Sequence, residues 1–167
     1  MRARRAASVV LASAVVLLST AGCTFFAPQT TFKAYDPSDG VNTQIGDVYI
    51  RNVILLTKDG SDASLLVNVV NDTDNGQSVN FQYEGADSSG TTGKVDKSVF
   101  ANAGTATSVG GHGDNQIVLT GINAKPGTLF PVFVQYGDQT GKQLLVPVLD
   151  GTLEPYDELL PTNAPQD

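Results

Sequence analysis

The residue whose context best indicates its chemistry is Cys23, the only cysteine among 167 residues. It follows a basic start (residues 1–5), an uncharged, mostly apolar stretch (residues 6–18) and small residues (20–22). This order is typical of a secretory signal peptide, and a cysteine directly after it is typical of a bacterial lipobox, in which the thiol is lipidated. We therefore expect cleavage after residue 22 and acylation of Cys23, for example with palmitate. The mature protein would then be lipid-anchored to the cell membrane on its extracytoplasmic side.

Two alternatives to the lipobox remain open. A transmembrane anchor fits poorly, because the apolar stretch is shorter than the roughly 20 residues that span a bilayer. A plain secreted protein would keep an unpaired thiol, which calls for an explanation. The one departure from the usual lipobox is Thr20, where leucine is the common residue.

The only histidine, His112, lies in the glycine-rich stretch Gly110–Asp114. A histidine can bind a metal ion or carry a proton near neutral pH, but one ligand makes no site, and the stretch contains neither cysteine nor methionine. We expect an exposed loop histidine and no cofactor, with His112 as the one weak metal candidate. Asn71–Gly76 resembles the start of a calcium loop, but its glycine comes one residue early relative to Asp72. A hairpin turn is the preferred interpretation.

Net charge and missing motifs exclude several classes of function. Without the arginines of residues 1–22, basic residues fall from 10 to 7 against 17 acids, a net charge of about −10. Such a surface repels nucleic-acid phosphates, so no nucleic-acid partner is expected. No G-x-S-x-G motif accompanies the lone histidine, no phosphate-binding loop follows a strand, and every cluster of carboxylates lies in a turn or near the C-terminus. We therefore expect no enzyme.

Most of the chain shows the periodicity of β-strands. Residues 78–84 alternate strictly, with Val79, Phe81 and Tyr83 between polar neighbours, as in a strand with one buried face. About seven such segments predict an antiparallel β-sandwich of immunoglobulin or cupredoxin type. Pro131 and Pro147 lie inside strand patterns and predict edge strands or bulges there. The predicted strands cover residues 45–57, 63–71, 78–84, part of 94–109, 116–120, 129–136 and 142–149.

These patterns divide the chain into four parts. Residues 1–22 form the lipoprotein signal peptide, and residues 23–44 hold the lipidated cysteine and a linker. The β-sandwich domain covers residues 45–152. Residues 153–167 are rich in proline and acids and are predicted to be a disordered tail, in which Tyr156, Leu159 and Leu160 either form a docking motif or pack on the sandwich edge.

Five short stretches follow one another in an order that also occurs in a known family: Ile45–Val53, Asn102–Thr105, Gly110–His112, Lys125–Leu129 and Leu145–Val148. In this order they resemble the small actinobacterial lipoproteins, including the Lpq-type ones, that are related to the periplasmic copper chaperones of the PCuAC-like superfamily. The resemblance covers roughly residues 45–150 and implies a β-sandwich of cupredoxin or immunoglobulin kind.

The resemblance also implies what is missing. Copper-binding members hold Cu(I) with two histidines and two methionines, ligands suited to that soft ion. Here only His112 lies near a matching position, and Asp114 stands where a methionine would follow. The copper site is therefore absent in its known form.

The sequence thus favours a lipid-anchored cell-surface protein with a non-catalytic binding or envelope-assembly role. Its partners would be the membrane, through Cys23, and an envelope protein or glycan. The partner would use the sandwich face, an edge strand or the 110–115 loop. Tyr49, Tyr83 or Tyr136 would mark that surface if exposed, but a core or ordinary surface position is the preferred interpretation of each. The alternative is a copper chaperone-like protein with an unconventional site near His112.

Overall fold

The computed structural model describes residues 38–111 and 116–162, which form nine strands and one short 3₁₀ helix. No helix in this part of the chain is long and apolar enough to cross a membrane. The strands are β1 (Val41–Ile45), β2 (Val48–Leu56), β3 (Ala63–Asn71), β4 (Gln77–Ala86), β5 (Thr92–Ala101), β6 (Thr105–Val109), β7 (Ile117–Leu119), β8 (Leu129–Tyr136) and β9 (Lys142–Leu149), and the 3₁₀ helix covers Tyr156–Leu159.

The strands form two antiparallel sheets that enclose one core. In the first sheet β2 pairs with β1 and β3, and β3 also pairs with β6 and β7. In the second sheet the order is β5-β4-β8-β9. A short parallel pairing of β2 with β9, Leu55 with Val148 and Leu56 with Leu149, joins the two sheets. The result is a curled sandwich whose inner faces share one hydrophobic cluster.

The alternation of β4 shows why the inner face is buried. Val79, Phe81 and Tyr83 are at most 2% exposed, whereas Asn80 and Glu84 between and beside them are exposed. Burying a side chain the size of Phe81 contributes on the order of 2–3 kcal/mol. Since the same period recurs in β8 and β9, hydrophobic burial sets which side of the second sheet faces inward.

The all-β class expected from the sequence is confirmed, with three differences. There are nine strands rather than about seven, because β1 adds to the predicted set and the one strand predicted within residues 94–109 is two strands, β5 and β6. The sandwich is not wholly antiparallel, since β2 and β9 run parallel. It also begins before residue 45: residues 41–44 of β1 fall in the predicted linker 23–44, and β1 pairs with β2, for example Thr43 with Ile50.

The C-terminal segment differs from the predicted disordered tail over residues 153–162. Leu159 is 8% exposed and packs with Ile54, Leu56 and Leu66 in a second, smaller hydrophobic cluster. These three residues come from β2 and β3, on the side of the first sheet opposite the main core. Composition suggested disorder because acids and prolines dominate, but one buried leucine places the segment on the sheet. Residues 163–167 lie outside the described part.

Candidate functional site

The two residues singled out for covalent and metal chemistry, Cys23 and His112, both lie outside the described residues. The described neighbours of His112 are Gly110 and Gly111 after β6 and Gln116 before β7. Lipidation of Cys23 and metal binding at His112 therefore stay predictions from the sequence.

The loop that carries His112 leaves the first sheet and returns to the same strand. β6 and β7 both pair antiparallel with β3, with Val109 opposite Val67 and Ile117 opposite Leu65. β6 and β7 therefore occupy successive positions along one side of β3, and residues 110–116 connect them in the sequence. Gly110 starts it with a φ of +85°, and a Cβ there would lie 2.6 Å from the carbonyl oxygen of Leu65. Only glycine fits this close approach with a positive φ.

Gln116 fixes the far end of the loop. Its side-chain amide donates to Oγ of the buried Ser64 at 2.9 Å and to the carbonyl oxygen of Leu160 at 3.0 Å. Its own oxygen accepts from the Thr162 hydroxyl at 2.9 Å. One side chain thus connects the base of the loop, β3 and the C-terminal segment.

Residues 71–76, which resemble the start of a calcium loop, make hydrogen bonds within the protein. The fully buried Asn71 donates from Nδ2 to the carbonyl oxygens of Asn75 (2.8 Å) and Ala101 (3.0 Å). Its Oδ1 accepts from both the backbone N–H and the hydroxyl of Thr73. The predicted hairpin turn is wrong, because β3 and β4 do not pair with each other: β3 pairs within the first sheet and β4 within the second. The segment connects the sheets, and Asn71 holds that connection.

Metal-ligating side chains do not cluster in the described ranges. No group of three or more His, Cys, Asp or Glu residues that could hold an ion occurs there. The pKa of the Asp87 carboxyl lies below its ordinary range, because the Ser89 hydroxyl and the N–H groups of Thr91 and Ser89 donate to it. The pKa of the Asp150 carboxyl is lowered in the same way by the N–H and the hydroxyl of Thr152. These two carboxylates cap their own turns as acceptors, unlike a general acid, which needs a raised pKa.

The three tyrosines proposed as surface markers are not exposed. Tyr83 and Tyr136 belong to the core, and the Tyr83 hydroxyl accepts a hydrogen bond from the N–H of Thr120 at 3.0 Å. Tyr49 is half-buried under the guanidinium of Arg51, which lies 5.1 Å from the ring centroid. None of them marks an open binding surface.

The exposed apolar side chains concentrate on the outer face of the second sheet. Leu129 is 59% exposed, Leu145 54% and Phe133 39%. Pro131 pairs with Leu145, and Leu129 pairs with Pro147, so the group is continuous across β8 and β9. Contiguous apolar patches of this kind mark interaction sites more often than scattered leucines do. We call Leu129, Pro131, Phe133, Leu145 and Pro147 the β8–β9 patch.

A groove of about 450 Å³ borders this patch. The β4–β8 pairing runs from Val79 with Tyr136 to Gln82 with Phe133. It therefore stops two residues short of Pro131. Since proline has no N–H to donate, the ladder cannot continue through it on this side. The groove lies where the pairing ends, and its lining comprises Gln82, Tyr83, Glu84, Lys94, Pro131, Phe133 and Gln143.

The β8–β9 patch could not be predicted from the pattern of residues in β8. In β8 both faces are apolar: Phe130, Val132 and Val134 point to the core, and Leu129 and Phe133 point outward. Alternation of polar and apolar residues is the signal that separates the two faces, and β8 lacks it. The one available signal in the sequence is Pro131, which predicts an edge strand or a bulge and gives no sign of an exposed apolar face.

Comparison with known proteins leaves the family open. No protein-family model matches the chain, and none of the curated proteins matches it. Among solved structures, the chain is similar to the copper-bound PCuAC domain from PmoF2, with a TM-score of 0.46 and 12% sequence identity. The similarity covers 66% of this chain and 97% of that domain. Kinship with the PCuAC-like superfamily therefore stays a prediction, and no metal or activity is carried over.

Proposed function

We propose that this chain is a lipid-anchored, extracytoplasmic β-sandwich that binds a protein partner without catalysis. The observation that carries the proposal is the β8–β9 patch, where Leu129, Phe133 and Leu145 are exposed beside a groove. Leucine and proline side chains make apolar contacts but no hydrogen bonds. They therefore favour a protein surface as the partner over a hydroxyl-rich glycan. The patch supplies the apolar centre that protein interfaces bury.

Charge favours a foreign partner over a second copy. The chain carries 17 acids against 10 basic residues, so two copies repel each other at long range. A partner whose apolar centre is framed by basic residues gains from the same field. Close to the patch, Glu84 and Lys94 are cross-strand neighbours and offer one acceptor and one cation at the rim.

Membrane attachment rests on the sequence around Cys23. Mass spectrometry of the mature N-terminus from a bacterial producing cell should find acyl chains on Cys23, and Cys23→Ser should release the protein from the membrane fraction. A mature chain that begins elsewhere, or membrane retention of Cys23→Ser, would contradict the lipid anchor.

Site-specific photocrosslinking in the producing cell tests the binding surface. A photoreactive amino acid replaces Phe133 or Leu145, and the control replaces Phe100, which is 60% exposed on the edge strand β5. We expect the same discrete protein adduct from positions 133 and 145 and none from position 100. The adduct should disappear when Leu129→Ser is added. Equal adducts from all three positions, or none, would overturn the proposal, and a self-adduct would replace the foreign partner by a second copy.

The copper chaperone-like alternative predicts a different result. A Cu(I) competition titration with a chromogenic chelator, on the chain and on His112→Ala, separates the two functions. Sub-nanomolar binding that His112→Ala abolishes would establish the alternative and require a ligand set that replaces methionine. Without competition, the partner-binding proposal stands on the crosslinking result alone.

A further inference from the structure

The outer edge of β5 is an open edge of the second sheet. Within the described residues β5 pairs with β4 alone, from Thr92 to Ala101. An open edge presents backbone N–H and C=O groups with which another strand can pair. The C-terminal end of β5 faces β6 across a cavity of about 280 Å³, whose lining includes Ser98, Phe100, Thr107 and Val109. The accessible part of the edge therefore runs from residue 92 to about residue 98.

Two hydrogen bonds identify which residues present their backbone groups at this edge. The N–H of Asp87 donates to the carbonyl oxygen of Thr91 at 3.0 Å, on the side of β5. The N–H of Ala86 donates to the carbonyl oxygen of Thr120 at 2.9 Å, on the other side. Because backbone groups alternate sides along a strand, the odd-numbered residues of β4 bond to β5, and their partners in β5 are odd-numbered as well. The even-numbered residues of β5 therefore direct their N–H and C=O groups to the open edge.

The charged side chains along this edge alternate in sign. Lys94 and Asp96 are exposed and lie on either side of Val95. The side-chain amide of Gln82 donates to Oδ1 of Asp96 at 3.1 Å and so positions this carboxylate, while Lys94 lies opposite Glu84 of β4. The edge thus presents a cation and an anion that are placed symmetrically about Val95.

We propose that a second copy of this chain pairs with β5 across a twofold axis at Val95. Lys94 of each copy then lies opposite Asp96 of the other, and even-numbered residues oppose even-numbered ones, as the backbone groups require. Every contact of such an interface occurs twice. An axis at Lys94 would set two ammonium groups opposite each other, and an axis at Asp96 two carboxylates. Charges on an edge usually prevent pairing, but here they exclude the neighbouring registers and stabilise this one.

The proposed dimer joins the second sheets of the two copies edge to edge. The axis is perpendicular to the sheet, so both copies turn their outer faces, with the β8–β9 patch, to the same side. A partner with two binding sites would gain from binding both patches at once. The dimer itself does not depend on that patch, because none of the patch residues lies on β5. Since the net negative charge of each copy opposes association at long range, we expect a weak dimer that forms as the concentration rises.

Sedimentation equilibrium of the full chain measures the association, with Cys23→Ser in every variant to remove the native thiol. Lys94→Asp and Asp96→Lys should each weaken dimerisation at least about tenfold, because each turns two attractive cross-strand pairs into repulsive ones. An equimolar mixture of the two variants should recover the dimer, since opposite charges then meet across the interface. The double variant, Lys94→Asp with Asp96→Lys, should dimerise as the native chain does, at the same net charge.

Asp96→Lys separates cross-strand pairing from general repulsion. This substitution makes the chain less negative, so net charge alone predicts tighter association, whereas the proposed register predicts weaker association. Asp138→Lys is the matched control, because Asp138 is exposed in the turn between β8 and β9 and the change of charge is the same. It should not weaken the dimer.

Single cysteines test the register. Val95→Cys places a thiol on the axis, in a non-hydrogen-bonded pair whose Cα atoms lie about 4.5 Å apart, within the range of a disulfide. Lys97→Cys is the control, since Lys97 is also half-buried but lies four residues out of register with its copy, roughly 13 Å along the strand. Under mild oxidation we expect a disulfide-linked dimer from position 95 and none from position 97.

Three outcomes would overturn the proposal. The first is a native chain that stays monomeric at every concentration. The second is an Asp96→Lys chain that associates as tightly as the native chain or more tightly. The third is a disulfide-linked dimer from position 97 in place of position 95, which would move the axis. Circular dichroism checks that each variant is folded, as we expect for substitutions of exposed or half-buried side chains on a strand edge.

Discussion

The hydroxyl of Tyr156 donates a 2.7 Å hydrogen bond to Oδ2 of Asp39, 117 positions earlier in the chain. Asp39 lies just before β1, and Tyr156 begins the 3₁₀ helix, so this bond ties the start of the described domain to its end. The bond to Asp39, partial burial and the Asp39 charge raise the pKa of Tyr156 above the ordinary value of 10.0. The folded chain therefore keeps this proton to higher pH than the unfolded chain.

The raised pKa of Tyr156 predicts a loss of stability in alkaline solution. Its contribution is complete below the ordinary tyrosine pKa and is lost as the pH rises through the higher folded-state value. A phenolate absorbance titration of the native chain and of Tyr156→Phe should differ by one tyrosine that titrates late. Asp39→Ala should return that titration towards the ordinary range. A late titration that survives Asp39→Ala would assign the shift to another cause.

Replacing Asn71 should destabilise the connection between the two sheets. Asn71→Ala leaves the buried carbonyl oxygen of Ala101 without this donor and removes the acceptor of Thr73. We expect a loss of about 3 kcal/mol in the free energy of unfolding, measured by urea denaturation.

Two further variants test whether the loss comes from the hydrogen bonds of Asn71. Asn71→Asp has a similar shape but cannot donate to the carbonyl oxygens of Asn75 and Ala101, so it should be at least as damaging. Asn80→Ala, on the exposed face of β4, is the matched control and should change stability by no more than about 0.5 kcal/mol. Equal effects at Asn71 and Asn80 would contradict the assigned role.

The position of proline in β8 predicts opposite effects at neighbouring residues. Pro131 lies beyond the last β4–β8 pair, whereas Val134 pairs with both Phe81 and Lys142. Pro131→Ala should change stability by no more than about 1 kcal/mol, since no β4 partner is lost. Val134→Pro should cost about 3 kcal/mol or more, because it interrupts a ladder bonded on both sides. Chemical denaturation of both variants checks this, and a tolerant Val134→Pro would contradict the register.

The sequence predicted local structure well and long-range relationships poorly. The alternation in residues 78–84 placed β4 correctly, because burial of one face leaves a local signature. The prediction of an edge strand at Pro131 is wrong, because β8 is an interior strand. Pro131 is accommodated because the β4–β8 pairing ends at Gln82 with Phe133, although β4 itself continues to Ala86. Where the pairing of two neighbouring strands stops depends on distant residues, and no local pattern records it.

The candidate site was less predictable than the fold for the same reason. The sequence offered three tyrosines and the 110–115 loop as pointers to a binding surface, yet the exposed apolar surface consists of Leu129, Phe133 and Leu145. Apolar residues on both faces of β8 give no sign of which face is covered. The packing of Leu159 depends on Ile54 and Leu66, about a hundred positions away in the chain, whereas the composition around Leu159 favoured disorder.

Gly110 and Gly127 form a matched pair that isolates the steric constraint on the 110–116 loop. Their φ angles are +85° and +84°, but a Cβ at Gly110 would lie 2.6 Å from the carbonyl oxygen of Leu65, whereas at Gly127 it would meet nothing within 4 Å. Gly127→Ala should therefore cost only the backbone strain, about 1–2 kcal/mol. Gly110→Ala should cost about 1–3 kcal/mol more, since β3 or the loop must shift.

The contrast between the two glycines also concerns function, because Gly110 is the point where the loop that carries His112 leaves the sheet. Hydrogen exchange on the Gly110→Ala chain should show faster exchange at the β3–β6 pairing, including Val67 with Val109. On the Gly127→Ala chain the same amides should keep their native protection. If both substitutions lowered stability equally, close packing of Gly110 against β3 could not be what fixes the loop at its base.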